Sequence, residues 1–338
     1  MKYVIISEIK LKACIILLLI AIVACGQQKD SDSGPSLEKT IYDDHVHIMS
    51  TTLISEWKKI GINFSKSDAY YADVDTILAL DKANKVNLIG MGYVFLNRDY
   101  YQGDDGCEMM KQENDYILSV FQKHPDMIVP YIAVDPLNSN ASSEIDRCYS
   151  KNPKVGLKLH FNVSQVYLTE PEHASKVKTI FKKAAELNIP ILLHFDNGHP
   201  KFGHPDVQIL IDTILKDIEP VKLQIAHFGT SGGFNQKTKN VIDAYLEMKS
   251  KITSYHHIVF DISAVALDKD SEGVSKLSDE EFSELKDYVH KLGFKYITFG
   301  TDYPLYDTEG YIKVLKKKVG FTENQIEMII ANNFKNEN

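Results

Sequence analysis

Cysteine is scarce in this chain of 338 residues: there are four, and no two stand in a C-x-x-C pair. That excludes a disulfide scaffold, a zinc ribbon and a thioredoxin-like redox site. Basic charge is also short, with 38 Lys and Arg against 46 Asp and Glu for a net charge of -8. An acidic chain without an extended basic run is poorly suited to neutralising phosphates, which argues against a nucleic-acid partner. No internal repeat is present, and no glycine-rich fingerprint follows the first apolar run, so neither a solenoid nor a dinucleotide-binding open sheet is indicated. The single tryptophan, Trp57, carries no assignment. What remains is ordinary globular material, 44% hydrophobic and 25% charged, and this excludes disordered, collagen-like and coiled-coil chains.

The longest apolar run is Ala13–Ala24, twelve residues behind Lys2, Lys10 and Lys12. It is too short to span a bilayer and has the length of a secretory h-region. It ends in Ile22-Val23-Ala24-Cys25, then Gly26, which resembles a bacterial lipobox with Cys25 as the lipidated residue. The expected organisation is a lipoprotein signal peptide over 1–24, a flexible polar tether over 25–40 and one domain over 41–335, lipid-anchored in a bacterial cell envelope. Cys107 and Cys148 then sit in an oxidising compartment, where a disulfide between them is an open alternative.

From residue 41 onward, short apolar runs alternate with amphipathic ones. Strands are expected at 41–47, 86–95, 127–135, 155–161, 190–195, 222–228, 258–263 and 295–301, each mostly apolar as in a parallel strand buried on both faces. Helices are expected between them at 70–84, 110–123, 169–187, 205–216 and 236–250. Two more follow capping-box spacings, Ser278 with Glu281 and Thr322 with Gln325, and Gly293 is placed as a helix stop. Eight alternating units fit a single (β/α)8 barrel.

Rare polar residues fall at the C-terminal ends of these strands. The first strand ends in Asp44-His45-Val46-His47, the fifth in His194, the sixth in His227, and the eighth runs into Asp302. Strand ends of one barrel converge on one mouth, and residues two apart on a strand point the same way. His45 and His47 can therefore hold one ion together with a carboxylate, a donor set that suits zinc or another divalent transition metal. Such an ion can lower the pKa of a bound water from about 15.7 to about 7. Asp302 is then placed to take its proton, and His227 to stabilise an oxyanion or protonate a leaving group.

The ordered set DDHVH, VGLKLHF, ILLHFDNG, LQIAHFG, VFDIS, FGTDYP and NNF resembles the amidohydrolase superfamily. Within it the set is most similar to the amidohydrolase-2 branch that includes aminocarboxymuconate semialdehyde decarboxylase. The resemblance runs from about residue 41 to 334. It implies a metal-dependent barrel enzyme with His45, His47, His194 and Asp302 as metal ligands. It also implies that His227 either binds a second metal or acts as acid/base. Hydrolysis of an amide, ester or lactone is the leading expectation. Non-oxidative decarboxylation or hydration of a small carboxylic acid is the alternative, and a non-catalytic metal-binding lipoprotein the second. Zinc is the expected ion, one rather than two. Lys158, in Gly156-Leu157-Lys158-Leu159-His160, resembles the strand whose lysine becomes a bridging carbamate in ureases and dihydroorotases; otherwise Lys158 and His160 line the pocket.

Weaker expectations complete the list. Arg98 and Tyr93 follow the second strand, and Arg98 is suited to clamp a substrate carboxylate. His199, His204 and Asp196 lie in the loop after the fifth strand, near the pocket. Asp261, in the seventh strand, is a buried acid that wants a partner, such as a metal-ligating histidine. His256 and His257 stand at the opposite end of the barrel and are read as surface residues.

Overall fold

The structure is a computed structural model that describes residues 40–96, 105–252, 254–271 and 273–332. Eight parallel strands form one sheet in sequential order: β1 (Tyr42–Ile48), β2 (Lys85–Gly90), β3 (Ile128–Ala133), β4 (Gly156–His160), β5 (Ile191–His194), β6 (Lys222–Ile225), β7 (His257–Asp261) and β8 (Ile297–Thr298). The two sheet edges meet. Asp44 N donates to Phe299 O at 2.9 Å and His47 N to Tyr303 O at 3.2 Å, which closes the (β/α)8 barrel. The signal-peptide and tether readings, Cys25 and Arg98 all lie outside the described residues.

All eight expected strands form, because each run buries apolar side chains towards the helices outside. All but β1 end earlier than expected, β2 by five residues and β6 and β8 by three. After Gly90 the chain turns into a 3-10 segment, Met91–Leu96, pressed against the helix Asp105–Phe121. A Cβ on Gly92 would come within 3.1 Å of Met110 O, so a larger residue would need that helix to give by a few tenths of an ångström. β6 stops at Ile225, and His227 and Phe228 then adopt left-handed φ of 52° and 54°.

The helices follow their end signals. Ser278 Oγ accepts from Glu281 N and the Glu281 carboxylate accepts from Ser278 N; Thr322 and Gln325 repeat this arrangement. Pro171 opens its helix, and Gly293 ends one at φ 100°. The expected helix at 70–84 is instead two, Asp68–Ala72 and Val74–Asp81, because the Asp73 carboxylate accepts from Thr76 N and Oγ1 and starts a new helix. Helices at Thr51–Lys59, Ala141–Lys151 and Thr308–Val314 were not expected; Ser50 and Asp307 cap the first and last.

Two readings need correction or closure. His256 is not a surface residue but is 6% exposed, with Nε2 on Leu215 O and Nδ1 accepting from Val221 N. It packs at the N-terminal end of the barrel as a hydrogen-bonded core side chain. No disulfide joins Cys107 and Cys148: Asn138 Nδ2 donates to Cys107 Sγ at 3.1 Å, and Cys148 Sγ donates to Glu144 Oε1 at 3.3 Å.

Candidate metal centre

The C-terminal strand ends deliver the polar residues to one place. His45 and His47 project from β1, and Asp302 reaches them from the turn after β8. Asp302 takes a left-handed φ of 54°. The chain before it runs so close to β1 that a Cβ on Gly300 would lie 2.8 Å from the His45 Cβ. Asp302 Oδ1 stands 3.1 Å from His47 Nε2 and 3.5 Å from His45 Nε2. One ligand atom from each of the three lies within 4.8 Å of the others.

Below this point a second set of contacts fixes the histidines. Asp261, fully buried, accepts from His45 Nδ1 at 2.9 Å, from Gln224 Nε2 at 2.7 Å, from His227 N at 2.9 Å and from Ser263 Oγ at 2.6 Å. His45 therefore carries its proton on Nδ1 and turns an Nε2 lone pair towards Asp302. His227 Nδ1 donates to Ser263 O at 3.0 Å, which frees its Nε2 in the same way. His45, His227 and Asp261 also cluster tightly enough to suggest an ion site. Their facing atoms are already joined through the Nδ1 protons and the Ser263 hydroxyl, so this group is a scaffold.

Charge follows burial. Burial, and next the Lys158 ammonium, push the His45 imidazole down to about 3 against the pull of Asp261 and Asp302. His47 is lowered by burial too, against Asp302. Burial alone would raise Asp302 and Asp261, but the neighbouring histidines outweigh it and hold both carboxyls below their ordinary range. Two neutral imidazoles with a committed carboxylate are a suitable donor set for a divalent cation. The buried His47 Nδ1 finds no partner among the described residues.

The other side of the mouth is built differently. His160 and His194 are register partners on β4 and β5, so their rings stack with centroids 3.9 Å apart. Tyr93 stacks on the far face of His160 at 4.8 Å. His194 Nε2 meets Ser231 Oγ at 3.2 Å, and its ring stands 5.3 Å from that of His227. His194 thus lines the mouth but stands outside the tight group of three. Lys158 is 1% exposed and points inward, with Nζ 3.4 Å from His45 Nε2 and 5.8 Å from the Tyr93 ring centre. Burial lowers its pKa to about 8, with Asp261 and Asp302 opposing.

The outer expectations separate. Asp261 does hold a histidine, as its buried position in an apolar strand suggested. Asp196 is tied to Lys237 at 2.7 Å and serves to pin the loop after β5. His199 and His204 are exposed. Sequence reasoning missed Ser263 and Gln224. Each is a polar residue interrupting an apolar strand context, in FDIS and KLQIA, and that interruption was the available signal.

A family model described as amidohydrolase matches residues 98–333. No curated protein sequence matches the chain. Among solved structures, the chain is similar to a dihydroxybenzoic acid decarboxylase from Polaromonas sp. JS666, solved with bound manganese and the inhibitor 2-nitroresorcinol. That match has 13% identity and a TM-score of 0.57 and covers 86% of this chain and 94% of that one. It is also similar to 5-carboxyvanillate decarboxylase from Sphingomonas paucimobilis, at 11% identity and TM-score 0.58, covering 86% and 96%. A third is a Pseudomonas putida protein taken to be a 2-pyrone-4,6-dicarboxylic acid hydrolase, at 13% identity and TM-score 0.56, covering 87% and 95%. At these identities the likeness shows the fold.

Proposed function

We propose that this chain, which belongs to the amidohydrolase family, is a divalent-metal enzyme that decarboxylates a small carboxylic acid at the barrel mouth. The observation that carries this reading is a buried ammonium beside a cation-type donor set: Lys158 faces the point where His45, His47 and Asp302 converge. A buried cation needs an anion. A substrate carboxylate entering the mouth supplies one, and decarboxylases on the same fold support the choice.

In this reading His45, His47 and Asp302 would hold one divalent cation, zinc or manganese, with His194 as the fourth protein group. A cation held there would supply positive charge to stabilise negative charge developing on the substrate. Lys158 orients the substrate carboxylate. His160 accepts from Val163 N on Nδ1 at 3.3 Å, so its proton is on Nε2 and it is a neutral donor beside Lys158. Loss of carbon dioxide leaves an electron pair on carbon that must receive a proton, and His227 Nε2, freed by the Ser263 carbonyl, is the group that carries it. Asp261 holds His45 and the His227 turn in place together.

Hydrolysis of an ester, amide or lactone is the second reading. Asp302, ionised at the centre, is placed to accept a proton from water, and a hydrolase assignment exists on this fold. Two assays on chelator-stripped and metal-restored protein test both: carbon dioxide release from a panel of carboxylic acids, and acid release from lactones, esters and amides. The expected result is metal-restored carbon dioxide release. Protein that binds no divalent ion and responds to no chelator would end both readings.

A further inference from the structure

Lys158 and the cation of the proposed function, on which this inference rests, address the same atom. His45 Nδ1 is committed to Asp261 at 2.9 Å, so His45 Nε2 bears the lone pair. Two groups face that lone pair: Asp302 Oδ1 at 3.5 Å and Lys158 Nζ at 3.4 Å. A carboxylate has no proton to donate to it; an ammonium has three. Lys158 also forms no ion pair among the described residues, although both Asp261 and Asp302 stabilise its charge from nearby.

We infer that Lys158 is an internal stand-in for the metal: its ammonium seats on His45 Nε2 in the metal-free protein and has to leave before a divalent ion binds there. One lone pair serves one partner, and a dication on it repels an ammonium at this range. The displaced side chain has a place to go. Its Nζ already lies over the Tyr93 ring, 5.8 Å from the ring centre, and an aromatic face attracts cations. Metal loading therefore moves the ammonium from the histidine to the substrate side, and builds the anion seat in the same step. Metal binds first and the anionic substrate second.

The experiment compares wild type, Lys158→Met and Lys158→Gln, each stripped of metal. Manganese and zinc affinities are read by competition with a chromophoric chelator, and melting temperatures are taken with and without manganese. Methionine fills the stem's volume without charge or donor; glutamine keeps a donor without charge. The stand-in role requires at least about tenfold tighter metal binding in Lys158→Met, with Lys158→Gln between it and wild type. It also requires a larger rise in melting temperature on adding manganese for Lys158→Met than for wild type. Unchanged affinity overturns the inference. Weakened affinity also overturns it, and if wild-type metal uptake then depends on bicarbonate, Lys158 is a carbamate ligand instead. Both of these outcomes leave metal binding by wild type intact, whereas wild type that binds no ion removes the proposed function and this inference together.

Discussion

Two groups of histidines line one barrel mouth and are held there by different means. His45 and His47, on β1, meet carboxylates: Asp261 on the first and Asp302 on both. His160 and His194, on β4 and β5, meet each other and Tyr93 ring to ring, with Val163 N and Ser231 Oγ as their polar contacts. Burial lowers the pKa of all four. Neutrality is therefore not what distinguishes a metal-binding imidazole here. What sets the tight group apart is carboxylate contact: Asp261 on Nδ1 of His45 fixes its tautomer and aims its lone pair, and Asp302 supplies negative charge where His45 and His47 converge.

If that distinction is right, substitutions on the two sides separate. The largest effect is expected at Asp302→Asn, which keeps the shape and removes the charge. It should lose bound metal and lower turnover by about a thousandfold or more, read by elemental analysis beside kinetics. His194→Ala tests the boundary between the groups. As the fourth protein group it should weaken metal binding less than Asp302→Asn does, and a loss as complete as that variant's would place His194 within the tight set. Asp261→Asn should be milder still, lowering metal affinity by about 10–100-fold. Nearly unchanged affinity there would show that the Ser263 hydroxyl, 3.1 Å from His45 Nδ1, orients the ring without the charge.

The fold and the carboxylate side were legible in the chain because their signals are local. Apolar runs mark β1 to β8, H-x-H marks β1, and an acid inside the apolar run IVFDIS marks Asp261. The stacked side was less legible. His160 meets His194 only because β4 and β5 pair in a register that puts the two at one height, and no spacing within either strand encodes that. His256 shows the converse. Its sequence context, next to exposed Tyr255, resembles a surface turn, yet Leu215 O and Val221 N from distant segments bury it. The hub at Ser263 was hidden for the same reason: it joins His45, His227 and Asp261 across three strands.

The smallest effect concerns the pH dependence of stability in the metal-free protein, and it probes the stacked side alone. His160 is kept neutral in the fold, well below its ordinary value near 6.5, first by burial and then by the Lys158 charge. An unfolded chain takes up a proton there near pH 6.5 and the folded chain does not. The unfolded state thus binds more protons below that pH, and stability is present above about 6.5 and lost as pH falls. One pH unit of this difference is about 1.4 kcal/mol, on the order of 2–4 °C of melting temperature for a domain of this size. His160→Phe keeps a ring between Tyr93 and His194 but cannot titrate. Its melting temperature should therefore fall less steeply from pH 6.5 to 5.5 than that of wild type, by roughly 2 °C. His45→Phe serves as the contrast, because it deprives Asp261 of its imidazole donor and should destabilise the protein at every pH. Parallel pH profiles for wild type and His160→Phe would mean that the stacked ring is protonated in the fold after all, and the proposed difference between the two histidine groups would then rest on their charge.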